Sequence, residues 1–378
     1  MDKKIAISYI NFIAKRAKRR KKMDFKKIGV LTSGGDAPGM NAVIRAVVRA
    51  ASKSGVKTVG IMEGYQGLMD GNIVDFSTGD VSNVIAKGGT MLYTARANEF
   101  KEQSGMEKAL KTIRDNEIDG IVAIGGDGTF RGATDLSRHG VPTIGLTGTI
   151  DNDITATDYC VGFDTAMNAV LDCVDRLRDT CESHARCIVV EVMGRDSGYI
   201  ALQTGIATGA IGIVIKEVPF DEEAMIQRIL RSKGHGRRSF VVMVAEGVRD
   251  ADGRPYGEGL TRRIEARTGI ESRFNRLAHV IRGGAPTLRD RLAASMMGEA
   301  AVKLLLDGKS DLVVCERDSS IVTYEINFAL TLDKMYKNKL KPGDLDAFSH
   351  SDIRQMEMLA EMRRQEIRDM YNAALTLM

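Results

Sequence analysis

Six residues, Gly148-Thr149-Ile150-Asp151-Asn152-Asp153, follow the strand-like run Thr143-Ile144-Gly145-Leu146 after a single intervening position. They place two carboxylates two positions apart on a tight loop. At the carboxyl end of a strand, one such acid can take a proton from a sugar hydroxyl while the other orients it or faces a metal. Without a metal, an arginine or a substrate hydroxyl to offset them, two carboxylates on one short loop repel. Three more glycine-bearing loops follow similar apolar runs: Ser33-Gly34-Gly35-Asp36, Gly125-Gly126-Asp127-Gly128-Thr129 and Met193-Gly194-Arg195. Glycines there let backbone N–H groups approach phosphate oxygens, and the aspartates can hold Mg²⁺ directly or through water. Neither Gly-Gly-Asp loop matches a P-loop or a full dinucleotide fingerprint.

The elements that must position these loops alternate short apolar runs with amphipathic helical segments, the pattern of parallel βα units. Strands are expected over 28–32, 56–61, 121–124 and 143–146, with helices near 41–53 and 130–138. A second series follows: helix 167–182, strand 187–192, helix 199–208, strand 211–215, helix 221–233 and strand 240–245, with Glu246 at its end. The pattern predicts an α/β fold of two doubly wound, Rossmann-like lobes with mainly parallel sheets. Helix 289–306 and strand 311–315 would carry the chain back to finish the first lobe. Beyond Pro342-Gly343, residues 352–375 place Ile353, Met356, Ala360, Ile367, Met370 and Ala374 near one helical face, a helical C-terminal extension suited to core packing or subunit contact.

Length and composition agree with two cores: 378 residues exceed what one core usually fills. Aromatic content of 5% with no Trp argues against a stacking surface for nucleic acid. The net charge of +4 belongs to the start of the chain, where residues 1–27 hold eleven Lys/Arg against two Asp and the remainder is acidic. Residues 1–23 read as a basic extension, dispensable or disordered, with translation able to begin at Met23. Its strongest positive block follows its apolar stretch, which is wrong for a signal peptide. No apolar run approaches a membrane span. The five cysteines, at 160, 173, 181, 187 and 315, lack a Cys-x-x-Cys spacing and read as reduced thiols of a cytoplasmic protein.

Taken in order, Ser-Gly-Gly-Asp-Ala-Pro-Gly-Met-Asn (33–41), Gly-Gly-Asp-Gly-Thr (125–129), Gly-Thr-Ile-Asp-Asn-Asp (148–153), Met-Gly-Arg (193–195) and Arg-Gly-Gly (282–284) closely resemble the 6-phosphofructokinase family, ATP-dependent bacterial type. The resemblance runs from about Lys27 to Asp307. It implies phosphorylation of fructose 6-phosphate at its C1 hydroxyl by Mg-ATP, with Asp151 as the base, Thr149 and Asp153 supporting it, and Asp127 at the Mg²⁺. Gly35, Arg96, Ala97, Gly126, Asp127, Gly128 and Thr129 would hold ATP, and Arg195 would neutralise charge on the transferred group. Thr149, Ile150, Met193, Gly194, Glu246, His279, Val280 and Ile281 would face the sugar phosphate. Arg186, Arg273, His279 and Arg282 would clamp its 6-phosphate, a role that suits the forked guanidinium. In this family Arg186 and Arg273 serve a neighbouring subunit's site, so a homotetramer with shared active sites is implied.

The implied lobes are residues 24–161 with 280–330 for ATP and 162–279 for the sugar phosphate, followed by the helical extension 331–378. Glycine at both 128 and 148 leaves open the space that Asp and Lys occupy in pyrophosphate-dependent relatives, so ATP is the expected donor. Pyrophosphate use, or a catalytically silent binding subunit, are the competing readings. Arg45, Arg49, Arg178 and Arg237 match part of an intersubunit effector pocket. Asn72 stands there for a usual Arg and Ile211 for a metal-contacting Glu, so an altered or absent effector response is expected.

Overall fold

A computed structural model describes residues 25–378, and the basic extension lies outside the described residues. The first lobe is built on a seven-stranded sheet. Its elements are β1 (Lys27–Thr32), α1 (Met40–Lys53), β2 (Lys57–Ile61), α2 (Gly64–Asp70), β3 (Ile73–Phe76), α3 (Gln103–Asp115), β4 (Gly120–Gly125), α4 (Asp127–Arg138) and β5 (Thr143–Thr147). The second lobe follows with α5 (Phe163–His184), β6 (Cys187–Val192), α6 (Tyr199–Ala207), β7 (Gly212–Val214), α7 (Glu222–Gly234), β8 (Phe240–Ala245), α8 (Tyr256–Thr268) and β9 (Ser272–Arg276). The chain then returns through α9 (Leu288–Leu306), β10 (Leu312–Arg317) and β11 (Ser320–Glu325), and ends in α10 (Ile326–Tyr336) and α11 (His350–Leu377).

Strand order in the first sheet is β11-β10-β5-β4-β1-β2-β3, parallel except for the antiparallel edges β3 and β11. The second sheet, β7-β8-β6-β9, is wholly parallel. The central strands are buried along their length because helices cover both faces, which is why they read as β-branched runs rather than as alternating patterns. Connectivity reverses between β1 and β4 in the first sheet and between β6 and β8 in the second. At such switch points the loops beyond the strands' carboxyl ends diverge and leave a crevice. The loops singled out from sequence occupy these positions: 33–36 and 126–129 in the first lobe, 193–195 and Glu246 in the second.

Two features hold the lobes in register. Asp290 on α9 is fully buried and accepts hydrogen bonds from Tyr159 Oη (2.5 Å), Gly162 N (2.6 Å) and Thr165 N (2.9 Å), tying the returning helix to the start of α5. Helix α9 also lies close on α1, where a Cβ at Gly298 would come within 2.7 Å of the Ala46 Cβ. The second feature is α11, opened by a capping box in which Ser349 and Asp352 satisfy each other's backbone N–H groups. It packs on α10 and α6, and Tyr371 Oη donates to Ile213 O in the second sheet (3.2 Å).

Candidate active site

The loop after β5 is fixed by its own side chains. Asn152 accepts from Cys160 N (2.9 Å) and donates to Asp158 O (3.1 Å), and Val161 N donates back to Thr147 O (3.0 Å). Asn152 adopts a left-handed backbone, φ 47°, a conformation its short polar side chain tolerates. Asp151 lies on the inner wall of this turn, 6% exposed, its N–H donating to Thr149 Oγ1 (3.2 Å). Its Oδ1 is buried without a hydrogen-bond partner. Burial first and the charge of Asp153 second push the Asp151 carboxyl up to about 6; Glu246 acts in the same direction, while Arg282 and Arg195 oppose it. Residues from the ends of both sheets therefore converge on one buried carboxylate with a free acceptor.

Across the crevice the two Gly-Gly-Asp loops form one cradle. Thr129 Oγ1 donates to Ser33 O (2.9 Å), Ser33 N donates to Ile124 O (3.0 Å), and Tyr65 Oη donates to Thr129 O (2.5 Å). A Cβ at Gly126 or Gly128 would meet nothing within 4 Å, so the space above this loop is open. Asp127 is the first residue of α4, where the helix dipole favours an anion, and pairs with Arg131 at 2.9 Å. Arg282 lies across the other loop, its Nη1 donating to Asp36 O (2.9 Å) and its guanidinium filling the place of a side chain at Gly35.

In the second lobe Glu246 Oε1 accepts from Arg195 N (2.8 Å) and Gly194 N (3.3 Å), so it anchors the Met-Gly-Arg loop. Arg195 is exposed and held at φ 55°, a strained conformation for its type of the kind concentrated at binding sites.

Residues 27–305 match the family model described as phosphofructokinase. The chain is 49% identical over 315 residues to the ATP-dependent 6-phosphofructokinase of Clostridium botulinum, covering 83% of this chain and 97% of that protein. It is 47% identical over 305 residues to the Brevibacillus brevis enzyme of the same name, covering 81% and 94%. The chain belongs to the phosphofructokinase family. The phosphofructokinase structure from Saccharomyces cerevisiae superposes with a TM-score of 0.79 at 34% identity, over 85% of this chain; the match spans about half, 47%, of the yeast polypeptide.

Several phosphofructokinase assignments sit differently in the structure than the motifs alone suggested. Ile150 and Ile281, expected to face the sugar phosphate, are fully buried and packed in the core, so neither presents surface to a ligand. Gly148 is not beside open space: a Cβ there would lie 3.0 Å from Ile124 Cγ2 and 3.5 Å from Met40 Cε, so a side chain at this position meets the core rather than the crevice. Arg282 contacts the 35–36 loop rather than lying beside Arg186 and Arg273. Those two both pair with Glu271, Arg186 at 2.9 Å, at the amino ends of β6 and β9. Glu246 and Arg195 lie beyond the carboxyl ends of the same sheet, and six-residue β6 puts about 20 Å between the two edges. Within one chain, Arg186 and Arg273 do not join the Asp151 site.

His279 and Val280 are exposed on the short 3-10 helix Ala278–Arg282, Met193 and Ala97 are half-buried, and Arg96 is exposed. The four candidate effector arginines divide. Arg178 and Arg237 meet at the Thr208-Gly209 turn, donating to Thr208 O and Gly209 O respectively, whereas Arg45 and Arg49 lie on α1 of the other lobe. Ile211 is fully buried, so its side chain has no access to an effector.

The motifs did not single out a group of residues behind the loop that follows β5. Asp333, Lys337 and Arg363 touch it at Thr155, Asp153 and Asn152. The spacing of Asp333 and Lys337 suits one helix face, but nothing local to it points at residues nearly two hundred positions earlier.

Proposed function

We propose that the chain transfers the γ-phosphoryl group of ATP to the C1 hydroxyl of fructose 6-phosphate, with Asp151 as general base. The observation that carries this is the buried Asp151 Oδ1, unpartnered and surrounded by the charges of Asp153, Arg282, Glu246 and Arg195. An acceptor oxygen in that state suits a substrate hydroxyl, and a carboxyl raised to about 6 is a stronger base than an ordinary aspartate while remaining ionised at neutral pH. Phosphoryl transfer depends mainly on positioning and on charge. Here Gly35, Arg96, Ala97 and residues 126–129 hold ATP, Arg195 and Arg282 meet the charge of the transferring group, and Thr149 and Asp153 orient the base. Met193, Gly194, Glu246, His279 and Val280 line the sugar side. The open space at Gly128 favours ATP over pyrophosphate.

Divalent metal chemistry is general in this kinase family. Among the described residues no cluster of three or more His, Cys, Asp or Glu could hold a metal alone. That fits Mg²⁺, which takes one or two carboxylates and completes its shell with water and substrate phosphates. Asp127 would hold it, and when bound it neutralises charge on the donor phosphates.

The ATP lobe comprises 24–161 with 280–330, and the sugar-phosphate lobe 162–279, with 331–378 as an extension. Arg186 and Arg273 reach a neighbouring subunit's sugar phosphate in a homotetramer. The five unpaired cysteines suit a reducing cytoplasm, and no helix among the described residues is long and apolar enough to cross a membrane. A coupled assay offering fructose 6-phosphate with ATP or pyrophosphate, with and without Mg²⁺, tests the proposal. Turnover with ATP and Mg²⁺ is expected; faster turnover with pyrophosphate would overturn the donor assignment, and none with either would overturn the activity.

A further inference from the structure

The structure assigns to the turn at 337–339 the role of a brace between the base loop and the Arg195 loop, with Lys337 a positioning residue that acts through Asp153. This rests on Asp151 being the base. Lys337 Nζ donates to Asp153 Oδ2 at 3.2 Å, with both side chains largely buried. Two residues on, Lys339 Nζ donates to Asp196 Oδ2 (3.2 Å), the residue that follows Arg195. Asp153 follows β5 of the first sheet and Asp196 follows β6 of the second, so one short turn reaches the catalytic loop of each lobe. Asn338 between them adopts φ 53°, the left-handed conformation that lets two nearby lysines reach different lobes.

The turn is itself supported from α11. Arg364 Nη2 donates to Met335 O and Tyr336 O (both 3.0 Å) and to Asn338 Oδ1 (3.3 Å), adding side-chain bonds to the last turn of α10, where Asn338 N already donates to Met335 O. Two more side chains from these helices hold the base loop on either side of Asp153. Asp333 Oδ1 accepts from Thr155 N (2.6 Å), and Arg363 Nη2 donates to Asn152 O (3.3 Å) with its guanidinium 4.1 Å from the Tyr199 ring centroid. Asp333, Lys337, Lys339, Arg363 and Arg364 all lie outside residues 27–305, which match the family model. The Lys337 ammonium also stays charged: burial alone would lower its pKa, but Asp153, Asp333 and Asp127 raise it above its ordinary value.

Positioning is the role left to Lys337, because Asp153 stands between it and Asp151. Displacing a catalytic group by ~1 Å can cost about 100-fold in rate, so K337M should lower kcat roughly ten- to hundred-fold. KM for both substrates should stay within about twofold, as expected when a transition-state arrangement rather than ground-state binding is lost. K337R should regain most of the rate, and amide exchange in 152–155 should quicken in K337M but not elsewhere. A K337M enzyme with wild-type kcat, or one whose lost rate is not regained in K337R while exchange at 152–155 is unchanged, would overturn the brace. If K337M does not fold, R364M, which removes the support of the turn along with the exposed pair to Glu361 and the contact with the Tyr336 ring, should lower kcat at unchanged KM; wild-type kcat in R364M overturns it. D151N separates the two ideas: activity retained there removes the base itself, whereas normal K337M turnover beside an inactive D151N removes only the brace.

Discussion

Replacing Asp151 with Asn should make the protein slower and more stable at once. The carboxyl is 6% exposed and its pKa is raised to about 6, from the ordinary unfolded value near 3.9. The folded state therefore holds this proton more tightly than the unfolded chain. Its stabilising contribution is fully present below about pH 4 and is lost as pH rises through 6. A shift of about two units makes the ionised carboxylate cost about 3 kcal/mol of stability at pH 7, by the ~1.4 kcal/mol each unit represents. Asn has nearly the same shape and carries no charge, so D151N escapes that cost. Urea titrations of both proteins should show D151N more stable by up to about 3 kcal/mol at pH 7, with the curves converging near pH 4. Loss of the base should meanwhile lower kcat by about 10²–10⁴, with KM for fructose 6-phosphate largely kept. In the wild type, kcat/KM should fall below pH 6 as Asp151 takes up its proton. Equal stability of the two proteins at pH 7, or a D151N enzyme with near-normal turnover, would refute the reasoning.

Gly128→Asp introduces a carboxylate into space that no protein atom occupies, so it should fold normally yet raise the KM for ATP at least about tenfold through repulsion of the donor phosphates; an unchanged KM in the coupled assay would place the donor elsewhere. Mixing R273A with D151N and allowing subunits to exchange should restore part of the activity that each variant lacks, since hybrid assemblies would contain sites with an intact Asp151 and a neighbour's intact Arg273; no recovery, with hybrids verified by mass, would argue against shared sites. Chelation with EDTA should abolish turnover and added Mg²⁺ should restore it, in keeping with Asp127 as a lone carboxylate that needs donor phosphates to complete a metal shell. Titrating ADP and phosphoenolpyruvate against fructose 6-phosphate should show a weak response or none, because Ile211 is buried and offers no carboxylate to an effector's metal; a strong sigmoidal shift would contradict this.

What was legible in the sequence follows from how each element is solvated. Strands 187–192 and 240–245 were read with their observed bounds, because strands covered on both faces show as uninterrupted β-branched runs. Strand β9, Ser-Arg-Phe-Asn-Arg, carries no such signal. It is an edge strand with exposed Arg273 and Arg276, and half-solvated strands carry no such run. Nor are the polar edge strand β11 and helix α10 expected from the sequence. Helix α8 buries only Leu260 and Ile264 among its large aliphatic residues, too few to mark a face.

The site divides along the same physical line. Glycine loops after strands announce themselves, because a loop at the carboxyl end of a parallel strand borders a crevice whatever lies across it. Which side chain meets which across that crevice is set by lobe geometry, and no local pattern encodes it. Arg282 illustrates this: its motif marks it as functional, but only the fold places its guanidinium over Gly35. Lys337 is the stronger case, since its partner Asp153 lies 184 residues earlier and neither residue's neighbours hint at the other. A buried ion pair at that separation is costly to form unless hydrogen bonds complete it. Here Asp333, Arg363 and Arg364 add hydrogen bonds at adjoining points, to Thr155 N, Asn152 O and Met335 O, which hold in place the backbone on both sides of the pair. The final fifty residues are thus linked to the catalytic loop by contacts more specific than core burial requires, and a substitution at Arg364, a full helix away from any substrate, should register in kcat before it registers in KM.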